Sequence, residues 1–144
     1  MLECPICYSN KVDDPGFVCE NTSAYAFVPT SPILLGHLLI LPKRHAKLSD
    51  LTEIELLDIQ QLIEKMKVTL LKLAEALPEI KGHEPMLVSM MDTMHASIPE
   101  HFHFHLIPSK NKIRDLIESY STKENIFILR NDLQTQSEII KSFL

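Results

Sequence analysis

The sequence predicts an α+β fold: an antiparallel sheet with one long helix packed on it and a second helix at the C-terminal end. Three observations carry this expectation. Short apolar runs broken by turn-type clusters fill residues 16–41, a single long helical periodicity runs through residues 53–77, and the segment His101–Ile107 alternates histidine with large apolar residues. Strands, then a long helix, then more strands is the order of a sheet with its helices on one side.

In chain order, Gly16–Glu20 and Tyr25–Pro29 carry aromatic and β-branched residues around the turn cluster Asn21-Thr22-Ser23. Pro29 to Pro32 is a second break, and His37–Leu41 is an apolar run of strand length ended by Pro42. Thr52 and Glu55 have capping-box spacing. Apolar residues from Ile54 to Leu77 then recur at helical spacing until Pro78, about seven turns at roughly 3.6 residues each. Met86–Met91 and His101–Ile107 read as strands, residues 109–121 are mixed, Ile126–Leu129 reads as a short strand, and the last dozen residues read as a helix. The 144 residues hold no repeat, low-complexity tract or Gly/Ser linker, so 1–144 is expected to be a single domain with its own core.

Composition narrows the function. With 45% hydrophobic and 23% charged residues and a net charge of −5, a general nucleic-acid-binding surface is not expected. No apolar run reaches the roughly 18 residues of a membrane span, and the first ten residues lack the basic and apolar regions of a signal peptide. The three cysteines, Cys4, Cys7 and Cys19, are an odd number that argues against a disulfide scaffold. Together these point to a cytoplasmic, reduced protein with no membrane or nucleic-acid partner.

The stretch Pro99–Pro108, PEHFHFHLIP, carries the chemistry. In a strand, side chains alternate between faces, so His101, His103 and His105 share one face and Phe102, Phe104 and Leu106 the other. Alternate residues stand roughly 6.5–7 Å apart, close enough for a phosphate or metal to touch two neighbours. Three readings are open. One is a polar strand face that happens to use histidine. Another is a metal site completed from elsewhere. The third is nucleophilic catalysis, in which a neutral imidazole attacks phosphorus and a neighbour helps the leaving group. Cys4 and Cys7 have metal-ligand spacing; a redox pair normally follows a strand, for which position 4 leaves no room, and two unrelated thiols are the remaining alternative.

His-φ-His-φ-His-φ-φ, where φ is apolar, resembles the signature of the histidine triad (HIT) family. CPIC near the N-terminus, YAFVPTSPILLGHLLILPKRH and the long helix stand in the family's order from Cys4 to Pro108. The resemblance implies a HIT-like half-barrel sheet, usually homodimeric, and an enzyme acting on the α-phosphate of dinucleoside polyphosphates or nucleoside phosphoramidates. His103 would be the nucleophile that forms a nucleotidyl-histidine, His105 would bind the phosphate or leaving group, and His37 would lie at the same site. Histidine at position 105, where uridylyl-transferring relatives often have Gln, favours hydrolysis over transfer. A non-catalytic, zinc-stabilised nucleotide-binding or interaction module is the alternative. Some family members hold a structural zinc with a Cys pair and two histidines, here Cys4, Cys7, His45 and His101. Cys19 reads as a small core residue.

The chain departs from the family just before the triad, where MMDTMHASIPE replaces a Gly-rich segment. Ser97 is the candidate substrate-binding hydroxyl there. His95 and His83 read as loop residues.

Overall fold

In the computed structural model, residues 4–123 and 133–144 are described. The elements are α1 (Tyr8–Lys11), β1 (Phe17–Glu20), β2 (Ala24–Phe27), β3 (Leu38–Pro42), α2 (Glu53–Ala76), β4 (Glu84–Ser89), β5 (Phe104–Ser109), α3 (Ile113–Lys123) and α4 (Leu133–Lys141). The five strands form one antiparallel sheet in the order β1-β2-β3-β5-β4. The chain divides into two compact units, Met1–Lys110 and Asn111–Leu144. The first contains the sheet and α2; α3 and α4 belong to the second.

β2 and β3 are buried along their whole length, and register explains how both faces are covered. Ala24 and Ala26, opposite Pro42 and Ile40, face α2 with Leu38 and Leu106, where Ile59, Leu62, Ile63, Met66 and Leu70 cover them. The small alanines let the helix approach the sheet closely. Tyr25 and Phe27, opposite Leu41 and Leu39, face the other way and are covered by Ile6, with Cys4, Tyr8, Phe17 and Ile98 packed around them. The N-terminal knuckle therefore closes a second core. The Tyr25 hydroxyl donates to the Ile6 carbonyl, and its burial raises its pKa.

The capping box of α2 is formed. Glu55 N–H donates to Thr52 Oγ1 at 3.2 Å, and Thr52 N–H donates to Glu55 Oε1 at 3.1 Å. Glu55 also takes two bonds from Arg44, Nε to Oε2 at 3.1 Å and Nη2 to Oε1 at 2.8 Å. This fork, from an exposed Arg44 onto a buried Glu55, holds the Glu55 carboxyl down at about 2, and it ties the start of α2 to the segment leaving β3.

Three expectations shift. The triad strand starts at Phe104 rather than His101, because Phe102 N–H donates to the Ala46 carbonyl, outside the ladder, at 2.8 Å. The strand expected at 86–91 runs instead from Glu84 to Ser89, and Met91 turns the chain with φ 55°. Residues 113–123, mixed in sequence, form α3. The expected strand Ile126–Leu129 lies outside the described residues.

Gly36 is the glycine that positions the site. Its φ is +94°, and a Cβ there would stand 2.8 Å from Pro108 Cγ and 3.4 Å from Leu70 Cδ2. Only glycine takes this turn without strain, and His37 follows directly. Gly36→Ala is expected to cost about 1–3 kcal/mol, read as a lower urea midpoint at unchanged m-value. An unmoved midpoint would refute the steric argument.

Candidate active site and metal centre

β5 carries His105, and its partners in register set the surroundings. Leu39 on β3 and Val88 on β4 stand opposite His105, and Phe27 stands opposite Leu39. The histidines thus sit on the sheet face away from α2, beside the core that the N-terminal knuckle closes. His103 is buried at 7% exposure, its ring centroid 5.2 Å from that of His105. His37, buried behind the Gly36 turn, has its ring 5.1 Å from His105.

Backbone partners fix where the protons lie, because a carbonyl only accepts and an N–H only donates. His103 Nδ1 is 2.9 Å from the His101 carbonyl, so a neutral His103 carries its proton on Nδ1 and keeps its lone pair on Nε2. Ile33 N–H donates to His37 Nδ1 at 3.0 Å, so a neutral His37 carries its proton on Nε2. His37 Nε2 lies 2.9 Å from His105 Nδ1 and donates to it, which leaves His105 with a donor at Nε2. The result is one imidazole presenting a lone pair beside another presenting an N–H. Burial, followed by the charges of His103 and His37, pushes His105 down to about 4; burial also lowers His37. Both rings are therefore neutral at neutral pH.

His101 faces elsewhere. Its fully buried ring donates from Nε2 to the Pro42 carbonyl at 2.9 Å, which frees Nδ1 as a ligand. That atom stands 3.6 Å from Cys4 Sγ and 3.7 Å from Cys7 Sγ, and Cys7 Sγ lies 3.4 Å from His45 Nδ1. All four ligand atoms lie within 4.8 Å of one another. A tetrahedral zinc with bonds of about 2.3 Å to sulfur and 2.0–2.1 Å to nitrogen separates S and N ligands by about 3.6 Å. The donor set, the spacing and the backbone-held tautomer of His101 all fit such an ion.

The sites expected from sequence thus fall into two groups, His37–His103–His105 and Cys4–Cys7–His45–His101, joined through the His101 main chain. Ser97 and His95 are exposed on the loop before the triad. His83 is half-buried ahead of β4 with its Nδ1 enclosed and unpartnered, more covered than a surface loop residue. Cys19 is half-buried on the α2 side, its Sγ 3.8 Å from Met66 Sδ, as expected of a core thiol. Sequence reasoning missed the Ile33 amide, the Pro42 carbonyl and the Arg44–Glu55 fork. The first two are main-chain groups with no residue signature; the spacing of Glu55 was visible, but only as half of a capping box.

The HIT domain profile matches residues 10–112, and this chain belongs to the HIT family. Adenosine 5'-monophosphoramidase HNT1 of Candida albicans is 34% identical over 116 residues, covering 78% of this chain and 74% of that protein. The Saccharomyces cerevisiae protein of the same name is 30% identical over 130 residues, covering 86% and 73%. Among solved structures, a Streptococcus mutans protein aligns over 98% of this chain and 85% of its own, with a TM-score of 0.65 at 20% identity, a likeness of fold alone.

Two acid windows follow from the shifted groups. The unfolded chain takes up a histidine proton near its ordinary pKa of about 6.5, before folded His105 does, so stability falls as pH drops from about 6.5 to about 4. Glu55 loses its contribution lower, between its ordinary 4.5 and about 2. Denaturant unfolding at several pH values is expected to show a shallower upper window in His105→Gln than in wild type; equal slopes would refute this.

Proposed function

We propose that the chain is a HIT-type hydrolase that cleaves at the α-phosphorus of nucleoside phosphoramidates or dinucleoside polyphosphates. The observation that carries the reading is the His103 Nδ1 bond to the His101 carbonyl, which aims a free Nε2 lone pair from a buried ring beside the His105 donor. The names of the two yeast relatives favour the phosphoramidate arm.

In the first step His103 Nε2 bonds to phosphorus while the phosphorus–nitrogen or phosphorus–oxygen bond breaks; the leaving group departs with that electron pair and takes up a proton from solvent, the nitrogen leaving as an amine. In the second, a water oxygen bonds to phosphorus and loses a proton to solvent; the Nε2–P bond breaks and returns its pair to the ring. His105 Nε2–H donates to a phosphate oxygen or to the leaving group, and His37 keeps that ring oriented. Ser97 is the proposed hydroxyl contact to the phosphates.

The four-ligand cluster is proposed to hold a structural zinc. Its part is to tie the knuckle to the residue that precedes the nucleophile by two positions, and no step of the reaction passes through it. A cytoplasmic location, proposed from family likeness, and a homodimer complete the reading; the dimer is also supported by β4, an edge strand with Leu87 46% exposed. No helix among the described residues is long and apolar enough to cross a membrane.

His103→Ala is expected to fold and to lose nearly all turnover of adenosine 5'-phosphoramidate and diadenosine polyphosphates; unchanged turnover would sink the mechanism. Acid-quenched trapping should find labelled nucleotide on wild type and none on the variant. Metal analysis of protein purified without chelator should give about one zinc per chain, absent from a Cys4→Ala/Cys7→Ala double variant. Wild-type protein without zinc would overturn the metal assignment.

A further inference from the structure

The segment that departs from its family is held by a device of its own. Asp92 is half-buried, and its carboxylate crosses to the segment that follows His45. Leu48 N–H donates to Oδ1 at 2.8 Å and Ser49 N–H donates to Oδ2 at 3.2 Å. Met91, immediately before it, is the only non-glycine residue with positive φ among the described residues, and that turn delivers Asp92 to the two amides. At the far end of the same loop, Phe102 N–H donates to the Ala46 carbonyl at 2.8 Å. Residues 92–102 are thus stapled at both ends to residues 46–49, as a compact loop whose ends lie close together.

This loop lies beside the chemistry. Ile98 packs against the core that contains Leu39 and Phe27, and Leu39 stands opposite His105 in the ladder. His101 N–H donates back to the Ile98 carbonyl at 3.4 Å, so the loop feeds directly into the triad. Ser97 precedes Ile98. A chain without glycine here gains rigidity from its residue types, and the two hydrogen bonds that the Leu48 and Ser49 N–H groups donate to the Asp92 carboxylate set one geometry for it.

We infer that Asp92 is a positioning residue for substrate recognition: it preorganises residues 93–99 as one wall of the nucleotide site and acts on binding rather than on the chemical step. This rests on the hydrolase reading above. Removing the carboxylate frees the loop, and binding must then order it again.

The test compares wild type, Asp92→Asn and Asp92→Ala. Steady-state kinetics on adenosine 5'-phosphoramidate are paired with calorimetric binding of adenosine 5'-monophosphate and with zinc content. Asp92→Ala is expected to raise KM and Kd about tenfold, with kcat within about twofold and zinc unchanged. Asp92→Asn keeps one acceptor oxygen and falls between, and it also serves if the alanine variant does not fold. Unchanged KM and Kd alongside a lowered Tm would make Asp92 merely structural and overturn the inference. So would a collapse of kcat at constant KM. If wild type turns nothing over while Kd still weakens in the variants, the hydrolase reading fails and the role of Asp92 stands. If wild type turns over and neither KM nor Kd moves, the reverse holds.

Discussion

Everything at the site depends on how His101 is used. Its Nε2–H is bonded to the Pro42 carbonyl, its Nδ1 faces the two thiols, and its own carbonyl accepts from the ring of His103. A histidine with no exposed surface cannot exchange these partners for water, so losing any one leaves a buried polar group unpaired. The proposed metal centre and the proposed nucleophile are therefore not two independent sites on a scaffold. One residue belongs to both, through its side chain on one side and its main chain on the other.

The sheet has two differently built faces. Alternation along β2 and β3 places alanines and aliphatics toward α2 and large aromatics toward the N-terminal knuckle. The first face is a conventional helix-on-sheet core. The second is completed only when Ile6 and its neighbours fold down onto Tyr25 and Phe27. The thiols of the proposed metal cluster, Cys4 and Cys7, are carried by that same knuckle, so hydrophobic packing and thiol placement reinforce each other. The Arg44–Glu55 fork plays the matching part on the helix side, anchoring the segment that bears His45.

Much of this was legible in the sequence, for identifiable reasons. The long helix announced itself through its period and its Thr52–Glu55 cap, and the strands through apolar runs between turn residues. Spacing placed the three histidines of the triad on one face; the assignment of His37 to the same site, and of His101 and His45 to the cysteines, came from family likeness alone. What stayed hidden depends on main-chain partners. The strict alternation of His101–Ile107 suggested a strand from its first residue, but the Phe102 amide was taken by Ala46. The tautomers are set by the Ile33 amide and two carbonyls, which any residue could supply. The loop after Met91 matched no pattern because an aspartate reaching another segment's amides has no local signature.

The knuckle also has a consequence for the order of events during synthesis. Cys4 and its partner His101 are separated by 97 positions. At translation rates of about 5–20 residues per second, the first thiols leave the ribosome on the order of 5–20 s before the histidine they face exists. His45 arrives midway, so three of the four candidate ligands exist before the fourth. For that interval β3 also lacks the sheet partner supplied by β5. The cluster of four candidate ligands is thus complete only once His101 has been made, and a nascent chain stalled before residue 101 carries Cys4, Cys7 and His45 without their fourth partner.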